Sequence, residues 1–225
     1  MATKNIAIDG PAGAGKSTLA KSLAKELGFL YVDTGAIYRT VGLYAERRGK
    51  DVGDPREVVP LLKEIRLEMT HEGDGVQHMY LQGEDVTEEI RQNRVSGYAS
   101  QVSAMPEVRA FLLDMQRSLA REHNVVMDGR DIGTVVLPQA NLKIFLTASA
   151  QQRAVRRHTE LVAKGSFVPF QQVLEEILAR DEADRTREIA PLRQAEDAVL
   201  LDTSHLSLEE SLQAMRAMVK EAFPL

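Results

Sequence analysis

The sequence predicts an α/β protein with a five-stranded parallel sheet flanked by helices, a small antiparallel β insert and a short helical lid. Two observations predict the sheet: apolar runs of strand length recur along the chain, and helical patterns lie between them. A third observation predicts the insert, because one central segment alternates in the manner of a hairpin. We expect a single domain over residues 1–225.

Five apolar runs are the predicted core strands. They are Asn5-Ile6-Ala7-Ile8-Asp9, Phe29-Leu30-Tyr31-Val32, Val125-Val126-Met127, Leu142-Lys143-Ile144-Phe145-Leu146 and Ala198-Val199-Leu200-Leu201. Leu19, Leu23 and Leu27 recur at intervals of four after the first run, which indicates a helix, and Gly28 is a typical helix stop. The order strand, helix, strand, helix is typical of a parallel sheet.

One central segment departs from this order. Leu67-Glu68-Met69-Thr70 and Val76-Gln77-His78-Met79-Tyr80-Leu81 alternate between apolar and polar side chains, and Gly73-Asp74-Gly75 lies between them. Such a pattern is typical of two antiparallel strands joined by a tight turn. We therefore predict an inserted antiparallel subdomain over about residues 61–94. We also expect a lid over about residues 151–168, the segment that carries Arg153, Arg156 and Arg157.

The composition excludes several classes of protein. The chain has no cysteine, so disulfides and thiol nucleophiles are excluded, and no apolar run approaches the roughly 20 residues of a membrane span. A net charge of -5 without a Lys/Arg-rich block argues against nucleic-acid binding. The first residues lead directly into a strand, so we expect no signal peptide, a cytoplasmic location and a monomer that contacts neither membrane nor nucleic acid.

The strongest motif is Gly10-x-x-x-x-Gly15-Lys16-Ser17, between the first strand and the first helix. Its glycines let backbone N–H groups converge on phosphate oxygens, its lysine reaches the outer phosphates, and its serine hydroxyl can ligate Mg²⁺. A plain tight turn does not require Lys followed by Ser. The predicted ATP-binding residues are Gly10, Pro11, Ala12, Gly13, Ala14, Gly15, Lys16, Ser17 and Thr18. Ser17 is the predicted metal ligand, with most of the Mg²⁺ shell supplied by ATP and water.

A second motif separates kinases from other nucleotide-binding proteins. The chain has no Asn-Lys-x-Asp motif for guanine and is short for an ATPase motor. Asp33-Thr34-Gly35-Ala36-Ile37-Tyr38-Arg39 follows the second strand, at the sheet edge where ligands of open α/β proteins bind. Arg39 is therefore a candidate for binding a second phosphate. The alternative is that Thr34 only caps the helix and Arg39 is solvated.

Two further clusters of arginine and aspartate occur. Asp128-Gly129-Arg130-Asp131 follows the third core strand, and Arg180-Asp181-x-x-Asp184-x-x-Arg187 lies on a predicted helix. A double supply of arginine suits a reaction between two phosphorylated substrates. The alternative for the second cluster is a set of helix-surface salt bridges. Similarly, Arg153, Arg156 and Arg157 form either a solvated helix face or part of a mobile lid.

Together these motifs resemble the bacterial cytidylate kinases, a family of P-loop nucleoside-monophosphate kinases. The stretches that carry the resemblance are Ile8 to Ser17, Asp33 to Arg39, Ala99-Ser100-Gln101-Val102, Asp128 to Thr134 and Arg180 to Leu192. The resemblance implies transfer of the γ-phosphoryl group of ATP to CMP or dCMP with Mg²⁺, and it places the β insert beside the monophosphate. Thr34 departs slightly from the family pattern, because some members carry Ser there.

The resemblance also implies a role for each site residue. Those expected to bind the pyrimidine and ribose are Thr34, Ser100, Arg109, Asp131 and Asp184. Those expected to bind the monophosphate are Arg39, Arg130 and Arg187. Those expected to act on the transferring phosphoryl group, with Lys16, are Arg153, Arg157 and Arg180. A carboxylate such as Asp131 suits the N4 amino group of cytosine and would repel the carbonyl of uracil.

Two other functions stay open on the residues alone. One is a P-loop kinase for another small metabolite, such as shikimate or dephospho-coenzyme A. The other is a regulatory module in which bound ATP changes a surface for a partner, with the insert as the docking site.

Overall fold

The computed structural model describes residues 3–71 and 76–223. The strands in these residues are β1 (Asn5–Asp9), β2 (Leu30–Asp33), β3 (Leu67–His71), β4 (Gln77–Leu81), β5 (Glu84–Asp85), β6 (Val125–Gly129), β7 (Leu142–Thr147) and β8 (Val199–Asp202). The helices are α1 (Lys16–Leu27), α2 (Thr34–Arg47), α3 (Pro55–Val58), α4 (Tyr98–Ser103), α5 (Pro106–Glu122), α6 (Ala150–Ala163), α7 (Phe170–Thr186) and α8 (Leu208–Ala222).

The central sheet has five parallel strands in the order β2-β6-β1-β7-β8, which confirms the predicted fold class. The first strand lies in the middle, because β6 and β7 pair with its two edges. At the carboxyl ends, Asp9 lies opposite Gly129, and Asp33 lies opposite Asp128. This register brings three of the predicted motifs to one edge of the sheet.

Helices cover both faces of this sheet. On one face, Ile8 and Ile144 of the sheet pack with Leu23 of α1 and Met215 of α8. On the other face, apolar residues of β1, β2 and β6 pack with α2, α4 and α5 through residues such as Leu112. The central strands β1 and β6 are therefore buried on both sides, which explains why they read as continuous apolar runs instead of alternating, whereas the edge strand β8 leaves Val199 and Leu200 exposed.

The β insert forms a separate antiparallel sheet in the order β3-β4-β5. The pairing of Leu67 with Leu81 and of His71 with Gln77 confirms the predicted hairpin. The predicted turn at Gly73-Asp74-Gly75 lies outside the described residues. The third strand, β5, has two residues and is too short to give a sequence pattern. The insert limits of 61–94 stay a prediction.

Helices α6 and α7 form the predicted lid region and the segment after it. They pack together through a small apolar cluster of Ala154, Leu161, Val173 and Ile177. Helix α6 extends to Ala163, and the predicted lid limits of 151–168 also stay a prediction. Within residues 3–71 and 76–223, no helix is both long enough and apolar enough to cross a membrane.

Candidate active site

A cavity of about 1330 Å³ opens at the carboxyl edge of the central sheet. The predicted site residues that line it are Ala12, Gly13, Ala14, Gly15, Lys16, Ser17, Thr18, Thr34, Arg39, Ser100, Arg109, Arg130, Asp131, Arg157, Arg180, Asp184 and Arg187. Gly10 and Pro11 begin the phosphate loop but are not among the residues that line the cavity. Segments far apart in sequence thus meet in one space, as the motifs predicted.

The phosphate loop is shaped by glycines at its start and its end. Gly10 has φ of 149°, and a β-carbon there would lie 1.9 Å from the carbonyl oxygen of Leu146. Gly15 has φ of 91° and immediately precedes α1. Glycine adopts these conformations without strain. In a glycine loop that precedes a helix, the backbone N–H groups are available to an anion at the amino end of the helix. This arrangement is suited to an anion.

Lys16 is buried at the base of the loop, and its Nζ donates to the carbonyl oxygen of Pro11 at 2.8 Å. Burial, with the nearby Arg130 guanidinium, lowers the pKa of Lys16 to about 7. A phosphate in the cavity would reverse this effect, because an adjacent anion favours the charged ammonium. The lysine is therefore preorganised for an anionic ligand.

Asp128, which the sequence analysis placed in an Arg/Asp cluster without giving it a role of its own, is the partner of the loop serine. Its carboxylate accepts hydrogen bonds from Ser17 Oγ at 2.8 Å and from the hydroxyl of Tyr31 at 3.1 Å. Burial, followed by the nearby Asp33, raises the pKa of Asp128 to about 6. The available signal was an apolar run, residues 125–127, that ends in an acid at the sheet edge.

Oxygen ligands for a divalent cation are present at this point. The Ser17 hydroxyl and the Asp128 carboxylate are hard donors of the type that Mg²⁺ prefers. Within residues 3–71 and 76–223, no group of three or more acidic or histidine side chains could enclose a metal ion. These two side chains fit a magnesium ion by the chemistry of their oxygen donors.

Asp33 and Arg39, which also line the cavity, form an ion pair. Asp33 caps α2 by accepting from Ala36 N at 2.9 Å, and its other oxygen accepts from Arg39 Nη2 at 3.0 Å. Thr34 Oγ instead donates to the carbonyl oxygen of Asp128 at 2.8 Å. The alternative in which Thr34 caps the helix and Arg39 is solvated is therefore wrong.

Asp184 joins the predicted helix cluster to the loop after β6. Its carboxylate accepts from Arg130 Nε at 2.8 Å and from Ser100 Oγ at 3.2 Å. Burial tends to raise its pKa, but Arg130 and other guanidinium groups hold the pKa of Asp184 below its ordinary value. These contacts join different elements, so the alternative of salt bridges along one helix surface is wrong for Asp184.

Asp131 lies between two arginines from distant elements. It forms ion pairs with Arg109 of α5 and with Arg187, the latter at 3.4 Å. Burial outweighs these cations and raises the pKa of Asp131. Tyr38, which the sequence reasoning did not select, lies on the cavity wall with its ring centroid 5.9 Å from the Arg109 guanidinium carbon.

The lid arginines differ in their contacts. Arg153 is buried, donates to the carbonyl oxygens of Ala148 and Ala12, and pairs with Asp181 at 2.7 Å. The alternative of a solvated helix face is therefore wrong for Arg153. Arg156 also contacts the loop, because it donates to the carbonyl oxygen of Ala14 at 3.3 Å.

Arg157 and Arg180 both line the cavity. Arg157 pairs with Glu160 at 3.0 Å. Burial, with the nearby Arg130, lowers the pKa of Arg180 to about 10, and within the described part of the chain its Nε has no hydrogen-bond partner. The predicted roles of these lid arginines in phosphoryl transfer stay predictions.

Asp9 is another functional candidate that the sequence reasoning missed. It immediately precedes the phosphate loop and accepts from the backbone N–H groups of Ile132 and Gly133, both at 2.7 Å. Burial raises the pKa of Asp9 to about 6 despite these bonds. The side chain therefore ties the start of the loop to the segment that carries Arg130 and Asp131.

Comparisons with known proteins agree on one family. A family model described as cytidylate kinase matches residues 6–221. The cytidylate kinase of Caldicellulosiruptor bescii is 54% identical over 93% of this chain and 92% of the relative. The cytidylate kinase of Exiguobacterium sp. is 50% identical over 96% of both chains. A solved structure of an uncharacterized protein from Eubacterium ventriosum has a TM-score of 0.55 at 10% identity over 97% of this chain and 99% of that chain, which shows similarity of fold alone.

Proposed function

The chain belongs to the cytidylate kinase family, and we propose that it acts through the residues gathered in the cavity described above. It transfers the γ-phosphoryl group of ATP to CMP or dCMP, giving ADP and CDP or dCDP. The observation that carries the residue assignment is that the phosphate loop and the arginine–aspartate clusters open on one cavity. The chain is about 50% identical to curated cytidylate kinases, and this similarity argues against the alternatives of a shikimate or dephospho-coenzyme A kinase and of a regulatory module.

The acceptor monophosphate binds to Arg39, Arg130 and Arg187 in this proposal. Each of these guanidinium groups is already held by a carboxylate of the site, as in the Arg39–Asp33 pair. Arginine suits this role, because its planar fork can donate two parallel hydrogen bonds to a phosphate. The pairing fixes the guanidinium positions before the substrate arrives, so less side-chain entropy is lost on binding.

The pyrimidine and ribose bind to Thr34, Ser100, Arg109, Asp131 and Asp184. Asp131 determines the preference for cytosine, because a carboxylate accepts a hydrogen bond from the N4 amino group of cytosine and repels the O4 carbonyl of uracil. Its two arginine partners support this role, since they compensate a buried negative charge. The hydroxyl groups of Thr34 and Ser100 supply neutral hydrogen bonds.

The ATP phosphates bind to the loop from Gly10 to Thr18, with Lys16 on the outer phosphates. Ser17 and Asp128 would hold a magnesium ion, which would neutralise phosphate charge when bound. Arg157 and Arg180 line the cavity and act on the transferring group. Arg153 acts on it through the loop, because its guanidinium donates to the carbonyl oxygen of Ala12 at 3.0 Å.

The reaction requires alignment and charge neutralisation more than covalent help. The acceptor phosphate is already an anion at neutral pH, so no general base is needed. Lys16 and the arginines stabilise charge on the equatorial oxygens, and closure of the lid around α6 and α7 excludes water as a competing acceptor. We expect the protein to work as a cytoplasmic monomer.

A substrate panel tests this proposal. ADP release from ATP is measured with CMP, dCMP and UMP in turn, and CMP and dCMP are expected to exceed UMP by at least about tenfold in kcat/KM. Asp131→Asn should reduce that preference, because the amide can donate to the O4 carbonyl of uracil. Equal use of UMP by the unsubstituted protein rejects Asp131 as the reader of the base.

A further inference from the structure

The β insert contacts the central sheet at the free edge of β2. In the sheet, β2 has only β6 as a neighbour. Leu30 N donates toward β6, to the carbonyl oxygen of Asn124 at 2.8 Å. Because successive residues of a strand direct their backbone groups to opposite edges, Tyr31 and Asp33 present theirs to the free edge. An unpaired strand edge that is covered requires new hydrogen-bond partners.

Gln77 of β4 supplies two of these partners. Its Oε1 accepts from Asp33 N at 2.7 Å, and its Nε2 donates to the Asp33 carbonyl oxygen at 3.2 Å. The side chain is only 5% exposed and lies on the same face of β4 as the buried Met79 and Leu81. A polar residue thus occupies a position where the alternation of the strand requires an apolar one.

His71 of β3 supplies the third partner. Its Nε2 lies 2.6 Å from the carbonyl oxygen of Tyr31, and His71 is the cross-strand neighbour of Gln77. The two side chains together take the place of a neighbouring strand along β2. Of the two, only Gln77 bonds both backbone groups of one residue, so it fixes Asp33 in position and orientation.

The residue that Gln77 holds is the one that orients Arg39. The Asp33 carboxylate caps α2 through Ala36 N and accepts from Arg39 Nη2 at 3.0 Å. A shift of the Asp33 backbone therefore moves the carboxylate against which the guanidinium rests. The links from Gln77 to Arg39 are hydrogen bonds of 2.7 to 3.2 Å, each made to a backbone group or a carboxylate.

We propose that Gln77 is a positioning residue for the acceptor monophosphate, acting through Asp33 and Arg39. The inference rests on the proposed role of Arg39, and it gives the β insert a function in the reaction. Docking alone does not require a buried amide, since Met79 and Leu81 already join the insert to the apolar core. An amide that bonds both groups of Asp33 adds geometric precision, which apolar contacts do not provide.

Gln77→Met tests the proposal, because methionine keeps the length of the side chain and removes both hydrogen bonds. We expect the KM for CMP to rise about tenfold, with the KM for ATP and kcat within about twofold of the unsubstituted enzyme. The matched control is Gln92→Met, which makes the same change at an exposed position of the same region and should leave all three values unchanged. Equal loss on both substrates, or a fall in kcat alone, assigns Gln77 a structural role and overturns the proposal.

A double-mutant cycle with Arg39→Met tests the route. Arg39→Met alone should raise the KM for CMP about a hundredfold, and adding Gln77→Met should then change it by less than about twofold. Additive effects reject the route through Arg39. If Arg39→Met raises the KM and Gln77→Met does not, only the present inference fails. If Arg39→Met leaves the KM unchanged, the acceptor assignment of Arg39 fails, and the inference fails with it.

Hydrogen exchange on the unsubstituted protein provides a test that does not depend on the folding of a variant. The Asp33 amide lies at a sheet edge and is protected only if the Gln77 side chain accepts its hydrogen bond. We expect it to exchange at least about a hundredfold more slowly than an unprotected amide. Rapid exchange at Asp33 in the folded enzyme overturns the proposal.

Discussion

The two sides of the cavity proposed to bind phosphates, the phosphate loop and the arginine–carboxylate pairs, are built from different kinds of groups. On the proposed donor side, the phosphate loop is one continuous segment after β1, and the nearby Arg153 and Arg156 donate to backbone carbonyls of that segment. On the proposed acceptor side, arginines from distant elements rest against carboxylates, as Arg130 does against Asp184 and Arg187 against Asp131. The first site is local in sequence, and the second is assembled by the fold.

If the proposed assignment holds, this difference lets one cavity distinguish two phosphates. A backbone site has fixed geometry and tolerates little change, because its donors cannot be replaced by substitution. A site of paired charges depends on each side chain separately, and removing one arginine leaves a buried carboxylate without its partner. We therefore expect donor-side and acceptor-side substitutions to separate in both kinetics and stability.

The largest effect is expected for Lys16→Ala on the donor side. Phosphoryl transfer should fall by about a thousandfold or more, because this lysine stabilises charge on the transferring group. The far-UV circular dichroism spectrum should not change. Burial disfavours the charge of the Lys16 side chain in the folded protein, so its removal should leave the helices and strands intact. ADP release with CMP is the measurement, and Lys25→Ala, an exposed lysine of the same helix, is the control. Near-normal turnover contradicts the assigned role.

A smaller and more selective effect is expected for Arg130→Met on the acceptor side. The KM for CMP should rise about a hundredfold while the KM for ATP stays within about twofold. The unfolding temperature should also fall by several degrees, because Asp184, 3% exposed, loses its guanidinium partner. Arg185→Met, on the exposed face of α7, is the matched control. Equal loss for both substrates would show that the two sides are assigned wrongly.

The smallest effect is expected for Asp9→Asn, at the link between the two sides. The buried Asp9 carboxyl has a pKa raised from 3.8 to about 6, so the folded protein keeps a proton that the unfolded chain releases. The stability that this proton contributes is fully present below about pH 4 and is lost as the pH rises through about 6. An asparagine cannot titrate, so the variant lacks this dependence.

Urea unfolding of both proteins between about pH 4 and 7 measures how the free energy of unfolding depends on pH. The advantage of the unsubstituted protein over Asp9→Asn should decrease by about 2 kcal/mol as the pH rises from about 4 to about 7. Asp114→Asn, an exposed carboxylate of α5, controls for the change of charge. An advantage that grows with pH would mean that the two backbone hydrogen bonds of Asp9 outweigh its burial.

Much of the fold could be predicted from the sequence, because strands buried on both faces give continuous apolar runs. All five runs became strands of the central sheet, and the hairpin of the insert was also recognised. The spatial order of the strands was not predicted. It depends on which faces the helices cover, and no local pattern records that. The short strand β5 was missed for a similar reason, since two residues carry no period.

The phosphate loop of the candidate site was easier to predict from the sequence than the residues proposed to bind the acceptor. The phosphate loop was found by spacing alone, whereas the acceptor residues were found through motifs whose roles came from a family resemblance. The roles of Asp128, Asp9 and Gln77 were missed, because their importance lies in partners more than 40 residues away in the chain.

The sequence by itself determined the phosphate loop, the strand positions and the absence of thiol chemistry, because each depends on residues that are near neighbours or on composition. Only the tertiary structure decided which carboxylate pairs with which arginine. It also decided that the insert contacts β2 through the hydrogen bonds of Gln77 with Asp33. Pairings of this kind are fixed by packing across the sheet edge, where burial makes a mismatched charge or amide costly. The sequence shows which arginines, carboxylates and amides are present, but not which of them lie within contact distance in the folded protein.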